Sequence, residues 1–157
     1  MRLLWRISNH CDLAGIRGEK SDGRWHTAER SKRIVYLSEH PALALIEALA
    51  NLKGNPRLFP ESYQLMKIIV GDTVSTEVLP DGALSHDWRE HEAQTRSIGD
   101  SWLKQRISAL LRVPSVPAPE SMNYLVNPLH RDAPGLTVEW CRRTKYDKRL
   151  FHLLEAA

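Results

Sequence analysis

Between the strand-like runs IVYLS and YQLMKIIVG the chain carries EHPALALIEALANLKGNP, residues 39–56, whose two ends and one face all point to a helix. Ser38 or His40 can cap its start, Pro41 sits in the first turn where its missing N–H costs nothing, and Gly54 to Pro56 stop it. At 100° per residue, Ala42, Leu43, Leu45, Ile46, Leu49 and Ala50 form one broad apolar face. Glu47 lies just beyond Leu43 at the edge of that face and is the only acid between Glu39 and Glu61. The pattern therefore places a single carboxylate at the core boundary.

Strands surround this helix. LLWRIS alternates well enough for an opening strand, DLAGIRGEKSDGRW supplies the glycines and charges of a loop, and RIVYLS reads as a short strand. YQLMKIIVG is β-branched and alternating, and TVSTEVL is a second candidate after it. The stretch HDWREHEAQTRSIGDSWLKQRISALL has apolar residues at mixed 3 and 4 spacings, which suggests one or two helices interrupted near Gly99. LLRVPS, YLVN, LTVEW and KRLFHLL are further strand candidates. The order is not a simple βαβ alternation, so the expectation is an α+β fold. A chain of 157 residues that is 42% hydrophobic can bury one core, which makes residues 1–157 a single domain.

Several classes are excluded or disfavoured. The start, MRLLWRISNHCD, lacks the roughly 7 to 15 residue apolar core of a signal peptide. No window approaches the roughly 18 apolar residues of a membrane helix, so a cytoplasmic protein without membrane contact is expected. Cys11 and Cys141 lack CxxC spacing and read as reduced, buried thiols. His10 with Cys11, and His86 with His91, are the only close ligand pairs and lack common metal spacings, so no metal is expected. The 15 arginines against 7 lysines and the net charge of +3 admit a phosphorylated ligand without requiring one. Neither of the common glycine-rich phosphate loops is present.

The segments WRIS, GRWHT, IVYLSE, the helix with Glu47, IGDSW, LLRVPS and NYLVNPLH, taken in order over nearly the whole chain, resemble the RES domain family, the toxins of RES–Xre toxin–antitoxin systems. The family pattern usually has GRWN, and His26 stands here where that asparagine would be. The resemblance implies a fold similar to the ADP-ribosyltransferase toxins of the diphtheria toxin type, and a type II toxin that depletes NAD⁺ by cleaving the nicotinamide–ribose bond, through hydrolysis or phosphorolysis. NAD⁺ is then the substrate, and no resident cofactor is implied. The implied partner is an Xre-type helix-turn-helix antitoxin, with a homodimer possible inside that complex and no direct binding of nucleic acid. The family's arginine, tyrosine, glutamate and serine fall on Arg24, Tyr36, Glu47 and Ser115, its NP-segment asparagine on Asn127, and a further arginine on Arg6.

These residue types suit that chemistry. An arginine such as Arg24 can grip a diphosphate through charge-assisted hydrogen bonds. An aromatic wall such as Tyr36 can hold a flat nicotinamide and strip water from it. A preplaced carboxylate, Glu47, stabilises positive charge developing on the ribose. Ser115, between Pro114 and Pro117, has a backbone with few alternatives and can orient a ligand; no general base is evident for it in the sequence. Asn127, before Pro128, either holds its loop or touches the ligand, and His130 is a weaker candidate. The competing function is a nucleic-acid-acting toxin such as a ribonuclease, but the seven histidines form no pair on one predicted face. A noncatalytic partner-binding domain is the third class.

Overall fold

Strand β3, Ser62–Val70, pairs antiparallel with β1, Arg2–Ile7, on one side and with β7, Leu136–Lys145, on the other, which brings the first and last strands of the chain within one strand of each other. The computed structural model describes residues 1–52 and 60–155. Its remaining strands and α-helices are β2 (Val35–Ser38), α1 (Pro41–Ala50), β4 (Thr76–Val78), α2 (Glu92–Gln105), β5 (Leu110–Pro114), β6 (Met122–Val126) and α3 (Arg149–Glu155). The strands form one sheet in the order β4-β5-β6-β2-β1-β3-β7, antiparallel except for the β4–β5 pair. This is the expected α+β class.

Alternation along the strands divides the core between the two faces of the sheet. Leu4, Val35, Leu37, Met66, Ile68, Leu110 and Val126 pack together on one side. Trp25, Trp102, Leu103, Leu111, Val113 and Leu125 pack on the other, where α2 lies. Tyr36, Ser38, Asn123 and Ser115 follow the parity of the second set.

Helix α1 starts as its sequence directs: Pro41 occupies the first turn and the His40 ring accepts from the Ala42 N–H at 3.1 Å. The stop signal from Gly54 to Pro56 lies outside the described residues. Helix α2 runs unbroken through Gly99 rather than being interrupted there. A side chain at Gly99 would collide with the Trp25 carbonyl, so the glycine serves close approach and not a break. The strand candidate KRLFHLL is instead the helix α3. Its leucines and phenylalanine recur at 3 and 4 spacings, and Asp147 Oδ1 accepts from the Arg149 N–H at 2.9 Å at its start.

The cysteines also correct the expectation of reduced thiols. Cys11 and Cys141 form a disulfide, with Cα atoms 6.2 Å apart across 130 residues of chain. Met66 is the rung that explains it, pairing with Arg6 in β1 and with Cys141 in β7. The loop after β1 folds back across β3 and meets β7. Sequence spacing carries no information about that meeting.

Candidate functional site

Glu47 stands one turn beyond the buried Leu43 and Ala44 of α1, and its half-buried carboxylate reaches the sheet. Oε1 accepts from the Ser115 hydroxyl at 2.7 Å and from the Asn123 side-chain amide at 2.7 Å. The other end of that amide, Oδ1, accepts from the Ser38 hydroxyl at 2.8 Å. Ser38, Asn123 and Ser115 are all buried, so the carboxylate is held by a polar network cut off from water on the sheet side.

Strand register explains the convergence. Ser38 pairs with Asn123 across β2 and β6, and Asn123 pairs with Val113 across β6 and β5. Ser115, two residues beyond Val113, therefore shares its face. The Ser115 N–H donates to the Ser121 carbonyl at 2.9 Å, and its Oγ accepts from the Ala118 N–H at 3.2 Å. With that lone pair used, the hydroxyl proton points at Glu47. The acceptor that the sequence did not reveal for Ser115 is thus a carboxylate 68 residues away.

Arg24 and Tyr36 belong to a second, adjoining unit. Tyr36 lies two residues before Ser38 on the same face of β2, about 7 Å along the strand. Its hydroxyl accepts from the Trp25 N–H at 3.1 Å and lies 2.7 Å from His26 Nδ1. His26 Nε2 is 3.1 Å from the Gly18 carbonyl, which can only accept, so Nε2 carries the proton and Nδ1 accepts from Tyr36. Burial pushes the His26 pKa down, against the bond to Gly18, and burial pushes the Tyr36 pKa up. His26, the residue that departs from the family pattern, is therefore a neutral strut beneath the loop.

Helix α2 fastens the same loop from outside. Thr95 Oγ1 donates to the Arg24 carbonyl at 2.6 Å, Arg96 Nε to the Gly23 carbonyl at 2.8 Å, and the Thr27 N–H to Asp100 Oδ1 at 2.9 Å. The Arg24 guanidinium donates through one nitrogen to the Trp88 and Arg89 carbonyls, each at 2.8 Å, and sits 3.8 Å from Glu92. Burial lowers its pKa, partly offset by Glu92. Arg24 Nε is buried without a partner, the one such side-chain atom among the described residues.

The other sequence candidates stand apart. Arg6 shares the Leu4 face by alternation, opposite Glu47, and donates to the Asp12 carbonyl at 3.4 Å under the loop that carries Cys11. Asn127 lies past the end of β6, where its Oδ1 accepts from the Leu129 N–H at 3.1 Å. His130 Nδ1 accepts from the Asp132 N–H at 3.0 Å. Ser38, Asn123, Thr95 and Asp100 were not named as site residues from the sequence, although the motifs IVYLSE, NYLVNPLH and IGDSW contain Ser38, Asn123 and Asp100. Among the described residues no group of three or more histidine, cysteine or acidic side chains is placed to hold a metal ion.

Comparison with known proteins places this arrangement in context. The RES domain family matches residues 3–148. A Toxin Res of Pseudomonas putida is 39% identical over 149 residues, covering 95% of this chain and 99% of that protein. A Prs ADP-ribosylating toxin of a Sphingobium species is 36% identical over 156 residues, covering 93% of this chain and 94% of that one. The crystal structure of the M. tuberculosis MbcT–MbcA toxin–antitoxin complex contains a chain similar in fold, with a TM-score of 0.72 at 17% identity over 99% of this chain and 90% of that chain.

Proposed function

This chain belongs to the RES domain family, and on that premise we propose that it is the toxin of a toxin–antitoxin pair and consumes NAD⁺ by breaking the bond between nicotinamide and ribose. The observation that carries the reading is the convergence of Ser115 and Asn123 on one oxygen of Glu47. Both donors hold Oε1, so Oε2 bears neither bond and is the oxygen offered to a ligand. In the reaction the C1′–N bond breaks and its electron pair goes to the ring nitrogen, which neutralises the pyridinium. Nicotinamide therefore leaves without needing a proton.

Positive charge appears on the ribose as this happens, and a carboxylate fixed by two hydrogen bonds stabilises it without reorganising. An acceptor hydroxyl from water, phosphate or protein then bonds to C1′ and releases its proton. The Sphingobium relative is named as ADP-ribosylating, which favours transfer of the ADP-ribose unit to a target molecule over its release to water. Arg24 is suited to the diphosphate by its charge, and the Tyr36 ring to the nicotinamide. The proposed partner is an Xre-type helix-turn-helix antitoxin and the proposed compartment the cytoplasm. No helix among the described residues is long and apolar enough to cross a membrane.

Incubating the purified protein with NAD⁺ and, separately, with RNA tests this reading. Release of nicotinamide with intact RNA is the expected result. Shortened RNA with unchanged NAD⁺ overturns it in favour of a nuclease.

A further inference from the structure

Away from the Glu47 network the chain has a groove of about 780 Å³ between the turn at Ser31, the C-terminal end of α2 and the segment after β6. It lies at the start of β2 and the end of β6, whereas the Glu47 network lies at the opposite ends of the same two strands. Asn127 at the groove and Asn123 in the network are separated by about 13 Å of strand. Leu125 lies between them on β6 and packs with Trp25 and Leu103.

The groove is strongly basic. Its lining includes Arg30, Lys32, Arg33, Lys104 and Arg106 against Glu29 and Asp100, a net +3 that equals the formal excess of the entire chain. Lys32 is neutralised by Asp100 at 3.0 Å and Glu29 at 3.3 Å, and Arg33 by Glu19 at 3.4 Å. No salt bridge among the described residues involves Arg30, Lys104 or Arg106, and all three are exposed. Self-repulsion among unpaired cations disfavours such a cluster unless a counter-charge arrives.

Backbone conformation singles out the same place. Ser31 (φ 68°) and Arg106 (φ 54°) are the only non-glycine residues at positive φ among the described residues, and both line the groove. A left-handed backbone is disfavoured for any residue that carries a side chain. Arg106 closes α2 at a position where glycine is the common choice, and it carries a guanidinium to the rim. Leu129 in the lining is 49% exposed, and Ile107, which follows Arg106 in the chain outside the lining, is 60% exposed, which sets apolar surface beside the charge.

We propose that this groove docks an acidic segment of the antitoxin, with carboxylates on Arg30, Lys104 and Arg106 and an apolar side chain against Ile107 and Leu129. The inference rests on the toxin–antitoxin reading above and adds the surface and the chemistry of the contact. A protein segment fits better than the alternatives. No aromatic residue lines the groove to stack a base. The three free cations are exposed rather than buried around one point, unlike a pocket built for a small phosphate. Arginine with adjoining apolar side chains is the composition that protein interfaces favour.

The test uses the full-length toxin and the helix-turn-helix protein encoded with it. Two variants are compared with the parent: Arg30→Glu with Lys104→Glu and Arg106→Glu, and Ile107→Asp with Leu129→Asp. Each is expected to raise the Kd for the antitoxin at least about tenfold near 0.15 M salt, with the charge variant also flattening the salt dependence. Circular dichroism checks the fold, and growth arrest by either variant alone is expected to persist while the antitoxin no longer relieves it. Unchanged Kd in the charge variant overturns the inference and leaves the toxin–antitoxin reading intact. Should the charge variant fail to fold, the Ile107 and Leu129 variant decides alone, and unchanged binding there overturns the inference. A DNA duplex of about 20 bp that binds the parent tightly and loses the charge variant would assign the groove to nucleic acid instead. Failure of the parent to bind its antitoxin removes the toxin–antitoxin reading and the groove inference with it.

Discussion

Ser115 donates its hydroxyl proton to Glu47 Oε1 at 2.7 Å from the end of a strand, 68 residues along the chain from the helix that carries the acid. Asn123 donates to the same oxygen from the neighbouring strand. A carboxylate bonded in this way is oriented before any ligand arrives, which is the arrangement electrostatic catalysis needs.

Glu47→Gln tests that role with little change in shape. A glutamine Oε1 still accepts from Ser115 and Asn123, so the melting temperature is expected to stay close to the parent's. The missing charge is expected to lower kcat for NAD⁺ cleavage by on the order of 10²-fold, about 3 kcal/mol. A fully active variant with normal substrate affinity would remove Glu47 from the chemistry.

Asn123 joins Ser38 to Glu47, so Asn123→Ala frees the carboxylate from one of its two donors on the sheet side. The expected loss in kcat is about tenfold, near 1.4 kcal/mol, with KM little changed. Ser38→Ala acts through Asn123 and is expected to give a smaller loss. Equal effects on KM and kcat from both substitutions would point to general loosening instead.

His26 gives stability a pH dependence. Burial holds the folded-state pKa of the ring below its ordinary value near 6.5, so on acidification the unfolded chain binds this proton before the folded one does. The contribution is present in full above about pH 6.5 and is lost as the pH falls toward the folded-state value. Thermal melts between about pH 7 and 5 are expected to show a falling Tm that His26→Asn partly flattens. An identical slope in parent and variant would dismiss His26 as the cause.

The Cys11–Cys141 bridge links residues 130 apart. Reducing it is expected to cost about 2–4 kcal/mol, read as a drop in Tm on adding dithiothreitol. Cys11→Ser should start at the lower Tm and ignore the reductant.

Gly99→Ala places a methyl group against the Trp25 carbonyl. Displacing that backbone is expected to cost about 1–3 kcal/mol and to disturb the Arg24 loop, which urea melts and NAD⁺ affinity would register together. A neutral substitution would mean the helix can move away from the loop without loss.

Local sequence determined a good deal of this protein. Proline at the first turn and a capping residue before it are enough to place α1, but of the expected apolar face Ala42, Ile46 and Ala50 are exposed, and the buried side runs through Leu43 and Ala44 toward Glu47. Strand-like runs likewise marked all seven strands, β1 and β3 by their alternation. The order of motifs along the chain carried the RES resemblance and named Arg24, Tyr36, Glu47 and Ser115. Tertiary structure alone decided which of these meet. Asn123 and Ser38 are ordinary strand residues until β6 pairs with β2, and Cys11 meets Cys141 only because β3 lies between the first and last strands. Gly99 reads as a break in isolation and is instead a seat for the Trp25 carbonyl. Contacts between segments far apart in the chain depend on strand order and register, and no window along one segment contains that information.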